Sequence, residues 1–539
     1  MREMSTRYRD ECRSLSPESR DEKNAYGRLR SLGMTSFLGV GLLLPFLFGL
    51  LSCSQPADPN TFVMIIESSP TNLDPRVGID AQSERIDELI FDALLTRDEH
   101  FNVQPGLAEK WEVPDALTYV FHLRHGVTFH DGRPLTSRDV KWTMDSLLER
   151  KVRSTRAATY RYVDHVDAPD EFTVVFHLKE PFASLLWNLS EGAIGIVPYG
   201  SLEEVTQKPL GSGPFKFVRA EQDKDVILER NDNYWGEKPR LARVRFTVVP
   251  DTTTRALELR KGSADAAINA LTSDIVVALE KNPKLRVERA PGTILSYLSF
   301  NMRDPVLRDF RVRQAIACAI DRKPLIEYIW RGFAQPATNL IPAQSWAYDP
   351  NVTGLSYNPE KARQILDAAG YPAQNGVRFH LTMKTSTEET TRLLAAVLQQ
   401  QLRAVGIVLD VRTFEFATFL ADVSSGAFQV YSLRWSGNED PDIFDTAFHS
   451  HNFPPAGRNR GYYSNPQVDE LIDRARREVD QNSRRELYFQ VQEILAREVP
   501  YVNLWYFDNV LVHTRRVSNL ILTPSGNYDF LRTAEISGD

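Results

Sequence analysis

Alternating apolar and polar positions predict strands early in the chain. In LTYVFHL, residues 117–123, every second side chain is apolar, the period that is typical of a half-buried strand. The stretch FTVVFHL, residues 172–178, repeats the pattern. A helix is predicted between them, because Thr136 and Asp139 have the spacing of a capping box.

Apolar residues at helical spacing dominate the second half. Two helices are predicted to begin at Asn358-Pro359 and Asn465-Pro466, because Asn caps a first turn and Pro favours its first position. Residues 407–414, IVLDVRTF, follow a further helical stretch and have the pattern of a strand. Strands and helices alternate, which predicts the α/β fold class.

The N-terminal region contains a long apolar run. Residues 34–51 carry no charge, and Arg28 and Arg30 precede them. Such a run fits either a transmembrane helix or a secretory signal. Pro45 in its middle and the small residue and cysteine that follow it favour the signal.

The end of this run has a distinctive sequence, Leu-Leu-Ser-Cys at residues 50–53. It resembles the lipobox of bacterial lipoproteins. The resemblance implies a leader and lipoprotein signal over residues 1–53, lipidation of Cys53 and a polar tether over residues 54–60. The protein is then expected to be extracytoplasmic, in the periplasm or at the cell surface, and anchored to the membrane by its lipid.

Composition narrows the class of protein. The 539 residues are 42% hydrophobic and 25% charged, as in a folded soluble protein of two or three domains. A net charge of -7 argues against a nucleic-acid partner, which would need a basic surface. Cys12, Cys53 and Cys318 form no CxxC pair and no zinc spacing, and Cys318 is expected to fill core.

Histidines offer two candidate metal sites. His122 and His177 lie at matching points of the two FHL strands, and His449 and His451 lie two residues apart. Solvated histidines explain both pairs better than metal ligands do, because no third ligand is apparent. We therefore expect no metal and no cofactor.

The stretch WSGNEDPD, residues 435–442, concentrates three acids within four residues. Catalytic carboxylates would need a nucleophile or a base nearby, and the chain has neither GxSxG nor HExxH. A calcium loop numbered from Asn438 would need Gly and Glu where Ile443 and His449 stand. Asp440 before Pro441 is predicted to cap the following helix.

Several stretches together resemble one protein family. They include LTYVFHLRHGVTFHDGRPL, GSGPFKF, NDNYWGEKP, RVRQAIACAIDR, YNPEKARQILDAAGY and YYSNPQVDELIDRARREV, spread over residues 61–522. In this order they are similar to the extracytoplasmic solute-binding proteins of family 5, the peptide- and nickel-type receptors of ABC importers.

The resemblance implies a two-lobed, periplasmic-binding-protein-like fold of type II with a smaller extra domain. Lobe one is expected to combine residues 60–95, 208–305 and 506–539. The extra domain is expected over residues 96–207 and lobe two over residues 306–505. The ligand is expected between the lobes, which close around it by a hinge motion.

The family also implies a ligand site at the lobe junction. In peptide-binding members the turn after the Trp carries an Asp for the ligand ammonium, and Asn438 stands there in this chain. Glu439, rather than Asp440, is expected to supply the charge. An Arg for the ligand carboxylate aligns with Thr385. The expected ligand-binding residues are Trp435, Ser436, Gly437, Asn438, Glu439, Ile79, Asp80, Ala81, Gln82, Lys384 and Thr385.

These inferences predict a monomeric, lipid-anchored receptor that hands a solute, most simply a peptide, to the permease subunits of an ABC importer. Two alternatives stay open at this point. One is a receptor for a non-peptide solute, such as a nickel complex, an oligosaccharide or an opine, because one fold serves many ligands. The other is a hydrolase of the cell envelope, against which the missing nucleophile motifs argue.

Overall fold

The computed structural model describes residues 60–537 apart from residues 191 and 193. The predicted leader, the lipidation site Cys53 and tether residues 54–59 lie outside the described residues. Among the residues that are described, no helix is long and apolar enough to cross a membrane.

The described chain alternates strands and helices throughout. The strands are β1 (Thr61–Ile66), β2 (Leu95–Arg97), β3 (Val103–Pro105), β4 (Ala108–Asp115), β5 (Thr118–Leu123), β6 (Val163–Asp170), β7 (Thr173–Leu178), β8 (Phe215–Glu221), β9 (Asp225–Arg230), β10 (Arg243–Val248), β11 (Ala266–Ile268), β12 (Leu285–Phe300), β13 (Ala334–Pro336), β14 (Phe379–Ser386), β15 (Ile407–Phe414), β16 (Val430–Trp435), β17 (Tyr501–Thr514), β18 (Val517–Ser518) and β19 (Glu535–Ile536).

The helices are α1 (Ala81–Ile90), α2 (Ser137–Leu148), α3 (Leu185–Asn188), α4 (Glu204–Gln207), α5 (Thr252–Lys261), α6 (Ser273–Glu280), α7 (Phe310–Ala319), α8 (Arg322–Pro324), α9 (Pro359–Ala368), α10 (Glu389–Arg403), α11 (Phe416–Ser425), α12 (Ile443–Phe448), α13 (Pro466–Arg477), α14 (Gln481–Glu498) and α15 (Phe530–Thr533). A π-helical turn spans Leu325–Ile329, and 3₁₀ turns span Thr155–Ala158 and Ser450–Asn452.

One mixed sheet of eleven strands organises the molecule. Its order is β15-β14-β16-β12-β17-β11-β1-β10-β9-β8, with β13 beside β17. The strands β14, β15 and β16 are parallel to one another, as are β1, β10 and β11. The long strands β12 and β17 are antiparallel to each other and lie between the two groups in the sheet. The α/β, two-lobed prediction is confirmed by this architecture and by the structural relatives below.

The two long strands lose their regular pairing near the middle. Pro291 pairs with Asp508, and the next paired position is Leu295 with Tyr506, so Gly292, Thr293 and Ile294 form a bulge opposite Phe507. A Cβ on Gly292 would stand 2.4 Å from the carbonyl oxygen of Phe507, so the close approach requires glycine. This segment, residues 291–295 of β12, is called the bulge below.

The cores lie on separate sides of the bulge. Two apolar clusters pack α7, α9, α10 and α11–α14 on the two faces of β14–β16. Two others pack on the faces of β1, β10 and β11. A fifth belongs to the antiparallel sheet β4-β5-β7-β6 and α2, which lies within the predicted extra domain. The exact domain boundaries stay a prediction, and residue 505, where lobe two was expected to end, lies inside β17.

Several local predictions are confirmed. Asn358 and Asn465 cap α9 and α13 with their side chains, and Thr136 and Asp139 form the capping box of α2. Cys318 is buried in the core. The inward position expected for Leu117 is wrong, because β5 begins one residue later and Leu117 lies in the preceding turn, 39% exposed.

Candidate functional site

A cavity of about 450 Å³ opens at the ends of β14 and β16. Because β14 and β16 are parallel and β16 ends beside the bulge, their carboxyl ends face the same edge of the sheet. Ligands of open α/β sheets bind at such edges. The cavity is lined by Ser296, Trp330, Ser386, Glu388, Thr390, Thr391, Leu394, Phe416, Phe419, Ser432, Leu433 and Arg434. A second cavity of about 280 Å³ lies by the first residues of β17, away from the bulge.

The turn after β16 divides into an inward and an outward part. The Trp435 ring is buried and stacks on Tyr297, with 6.1 Å between ring centroids. A contact between the Trp435 ring and a ligand would require the ring to leave this core. Ser436 and Gly437 are exposed, and their backbone groups make no hydrogen bond with the described residues. Gly437 has φ 72°, and no atom lies within 4 Å of where a Cβ on it would stand, so the turn projects outward.

Asn438 and Glu439 have different environments. Asn438 is fully buried and its amide donates to the carbonyl oxygen of Leu340 at 2.6 Å. Glu439 is half-buried, and its Oε1 accepts a hydrogen bond of 2.6 Å from the Thr293 hydroxyl in the bulge. No cation among the described residues pairs with this carboxylate. Burial and the nearby Glu439 charge raise the pKa of the Tyr506 hydroxyl well above its usual value.

The predicted helix cap at Asp440 is wrong in its details. Helix α12 begins at Ile443 and follows Asp442, whose side chain makes no capping bond. Asp440 accepts from the Asp442 backbone N–H at 2.9 Å and from the Ser184 hydroxyl at 3.0 Å. The residue is buried, so its carboxylate is engaged within the protein.

A buried cluster of arginines and acids continues from Asp440. Arg484 donates to Ser184 at 2.7 Å and lies 4.0 Å from Asp440. Arg476 pairs with Asp442 at 2.7 Å and with Asp445 at 3.2 Å. Burial raises the pKa of Asp442 to about 6, although Arg476 acts in the opposite direction. The cluster joins the loop after β7 to helices α12–α14.

On β1's side of the sheet, two of the four predicted residues are already engaged. Asp80 caps α1, and its carboxylate accepts a hydrogen bond of 3.0 Å from the Ser83 backbone N–H. Burial acts to raise the pKa of Asp80, but the hydrogen bonds to its carboxylate lower that pKa below its usual value. Gln82 accepts from the Tyr528 hydroxyl at 2.5 Å. Ile79 is 57% exposed and Ala81 is exposed. Their role in binding stays a prediction.

The two predicted residues of β14 do not offer a free charge. Lys384 pairs with Asp422 at 2.6 Å. Thr385 is fully buried, and its hydroxyl has no partner among the described residues. The site therefore lacks an anchoring cation at the position that the family alignment indicates.

Sequence reasoning identified none of the residues that line the 450 Å³ cavity, Arg434 among them. The exposed Arg434 guanidinium lies over the rings of Phe507 and Trp330, with its Cζ 4.6 Å and 5.5 Å from their centroids. Partial desolvation lowers the pKa of Arg434, against the opposing effect of Glu388. A charged residue within the apolar strand VYSLRW was the available signal, because strands of an α/β core are otherwise apolar.

Two groups of side chains in the described residues have a spacing that could hold a metal ion: His165, Asp167 and His177, and Asp445, His449 and His451. His177 thus stands beside His165, with 4.4 Å between ring centroids, rather than beside His122 as its strand position had suggested. Arg476 already pairs with Asp445 in the second group, which disfavours a second cation there.

Known proteins align with this chain over nearly its whole length. It is 28% identical to the di/tripeptide-binding protein 1 of Pseudomonas aeruginosa (strain UCBPP-PA14), over 93% of this chain and 98% of the relative.

Solved structures have the same fold. HbpA2 from Haemophilus parasuis superposes with a TM-score of 0.79 at 25% identity, covering 88% of this chain and 100% of that one. The periplasmic binding protein DppA from Helicobacter pylori, in complex with the peptide STSA, superposes with a TM-score of 0.70 at 28% identity, covering 88% and 98%.

The family model described as "Bacterial extracellular solute-binding proteins, family 5 Middle" matches residues 102–454, well over half of the chain. Members of this family are receptors rather than enzymes, and they work with ABC transporter permeases. The protein therefore belongs to the bacterial extracellular solute-binding proteins of family 5.

Proposed function

We propose that the protein is a lipid-anchored receptor that binds a short peptide at the edge of β14 and β16 and delivers it to the permease of an ABC importer. Binding closes the two parts of the molecule about the bulge. The relatives with known ligands include a di/tripeptide-binding protein and a DppA bound to a peptide. They support the class of solute.

The observation that carries the proposal is the exposed turn after Trp435. Ser436 and Gly437 present backbone groups without partners among the described residues, and these groups can pair with an extended peptide as an added strand does. Glu439, two residues on, holds a negative charge without a cationic partner among the described residues. An exposed backbone beside an unpaired carboxylate suits the first residue of a peptide, with its N–H groups and ammonium.

Closure about the bulge follows from the same residues. Glu439 already binds Thr293 in the bulge, so a ligand that contacts Glu439 also contacts the point where β12 and β17 lose their pairing. Bound solute is then expected to favour a closed form through contacts from both sides, as in hinge closure. Ile79, whose side chain is exposed, is the proposed contact from the side of β1.

Binding without turnover is the direct test. Melting temperature and scattering are measured with and without defined dipeptides and tripeptides, and each peptide is recovered and analysed afterwards. A ligand that binds only the native state stabilises it by about 2.7 kcal/mol at a hundredfold excess over Kd. A higher melting temperature, a more compact molecule and an unchanged peptide support the proposal. Hydrolysis of the peptide would contradict it.

The anchor has its own test. Cys53→Ser should abolish lipid attachment, and the protein should remain uncleaved or move to the soluble fraction. The control, Cys318→Ser, alters a core thiol outside the signal and should leave membrane fractionation unchanged. Unchanged processing and fractionation of the Cys53→Ser protein would exclude lipidation at this residue.

A further inference from the structure

The side chain of Arg434 is a cation that contacts no acid among the described residues. Its guanidinium makes no hydrogen bond or ion pair with any described residue. It is exposed, and it is the one cationic residue among the described residues that line the 450 Å³ cavity. A guanidinium offers five N–H donors in a planar fork, and here all five are available to a ligand.

Two aromatic rings hold this guanidinium in place. Trp330 and Phe507 meet edge to face, with 4.7 Å between their centroids, and Arg434 lies over both. Cation–π contacts take up the face of the guanidinium and leave its edge N–H groups free. The buried indole nitrogen of Trp330, which also lines the cavity, has no acceptor among the described residues and is a further donor there.

The acid whose charge acts on the pKa of Arg434 is held elsewhere. Glu388 caps α10, and its carboxylate accepts from the backbone N–H groups of Thr390 and Thr391 at 3.2 Å and 2.9 Å. These bonds lower the pKa of Glu388, whereas burial acts to raise it. The carboxylate thus stays charged on the helix N-terminus and forms no ion pair with Arg434.

The neighbouring strand explains why this arginine matters. Lys384 of β14 is neutralised by Asp422, and Thr385 carries no charge. The register of β14 and β16 pairs Lys384 with Tyr431, so Arg434 extends three residues further toward the carboxyl edge. The cation at this edge is therefore supplied by β16.

We propose that Arg434 binds the carboxylate of the solute through a bidentate pair, with the C-terminal carboxylate of a short peptide as its partner. The identity of the solute as a peptide rests on the proposed function, whereas the requirement for an acidic group rests on Arg434 alone. A peptide would then lie along Ser436 and Gly437, with its ammonium toward Glu439 and its carboxylate over the Trp330–Phe507 pair.

The test uses two tripeptide libraries of identical sequences, one with free C-terminal carboxylates and one with C-terminal amides. Binding is measured by native mass spectrometry on the full mature chain, on Arg434→Met and Arg434→Lys, and on Arg403→Met as the control. Arg403 is exposed at the far end of α10, so its loss should not alter binding. Circular dichroism and melting curves verify that each variant is folded.

The wild type should prefer free acids by about tenfold to a hundredfold, the range for a hydrogen bond to a charged group. Arg434→Met should lose this preference, Arg434→Lys should retain part of it because a lysine cannot form the planar fork, and Arg403→Met should retain it fully. Equal binding of acids and amides by the wild type, or an unchanged preference in a folded Arg434→Met, overturns the proposal.

A second arm separates this inference from the proposed function. The solute that copurifies with the wild type is identified, and the same preparation is made of Arg434→Met. A non-peptide acid that is lost from Arg434→Met contradicts the peptide assignment and supports Arg434 as the anchor. A solute without an acidic group, or one that Arg434→Met retains, overturns the assignment of Arg434. If the wild type binds no member of either peptide library and also copurifies with no solute, both proposals are overturned.

Discussion

The arginines on the two sides of Trp435 have opposite environments. Arg476 and Arg484 are buried and each contacts at least one acid or hydroxyl, in a cluster that joins three parts of the chain. Arg434 is exposed, lies over the rings of Phe507 and Trp330, and forms no ion pair with any described residue. The difference separates charges that hold the fold from charges that are available to a solute.

The same division applies to the acids of the turn. Asp440 and Asp442 bind protein groups. The Glu439 carboxylate accepts one hydrogen bond, from Thr293 in the bulge, and pairs with no cation among the described residues. Proximity in sequence therefore does not indicate a shared role, because Glu439 is half-buried beside Thr293 whereas Asp440 is buried beside Ser184.

Removal of Arg476 should have the largest effect and should be confined to stability. Arg476→Met leaves Asp442 and Asp445 without their cation, and breaking a buried pair costs about 3–5 kcal/mol. The free energy of unfolding, measured with urea, should fall by that amount. Arg477→Met, the exposed neighbour on α13, should change it by less than about 0.5 kcal/mol. Equal effects of the two variants would show that the cluster does not stabilise the fold.

Substitution of Glu439 should affect binding rather than stability. Glu439→Gln keeps an acceptor for Thr293 but removes the charge, so affinity for a peptide with a free ammonium should fall by about 1.5–3 kcal/mol. Isothermal titration with a peptide and its N-acetylated form measures this difference. Asp440→Asn is the matched control and should lower stability instead. Loss of affinity in Asp440→Asn with intact affinity in Glu439→Gln would reverse the two roles.

The buried cluster should also give the smallest effect, a dependence of stability on pH. Because the pKa of Asp442 is raised to about 6 in the folded state, the folded protein binds more protons than the unfolded chain between about pH 4 and 6. The contribution of Asp442 is therefore present below pH 4 and is lost as pH rises through 6. It amounts to about 1–2 kcal/mol after allowance for partial exposure. Asp442→Asn should remove this slope, and an identical slope in both proteins would contradict the assignment.

Most of the fold was predictable from the sequence, because it depends on local patterns. The Asn-Pro caps of α9 and α13 and the capping box of α2 are set by neighbouring residues. The long β17 was harder, since it serves two parts of the molecule and its apolar pattern continues past position 505.

The site was only partly predictable, because it depends on contacts that are distant in sequence. Nothing near Asn438 indicates that its amide binds Leu340, almost a hundred residues away. Asp440 likewise finds Ser184 in another part of the chain. Arg434 was overlooked because its significance depends on having no ion pair with any described residue, which only the folded structure shows.

The most direct test of the account is to measure stability and affinity together in Arg434→Met and Arg476→Met. Without ligand, Arg434→Met should melt like the wild type, but it should lose the stabilisation that a carboxylate-bearing solute provides. Arg476→Met should melt at a lower temperature but, where folded, should retain the shift on addition of that solute. A ligand-induced shift that persists in Arg434→Met, or a loss of stability there as large as in Arg476→Met, would contradict the division between structural and solute-binding charges.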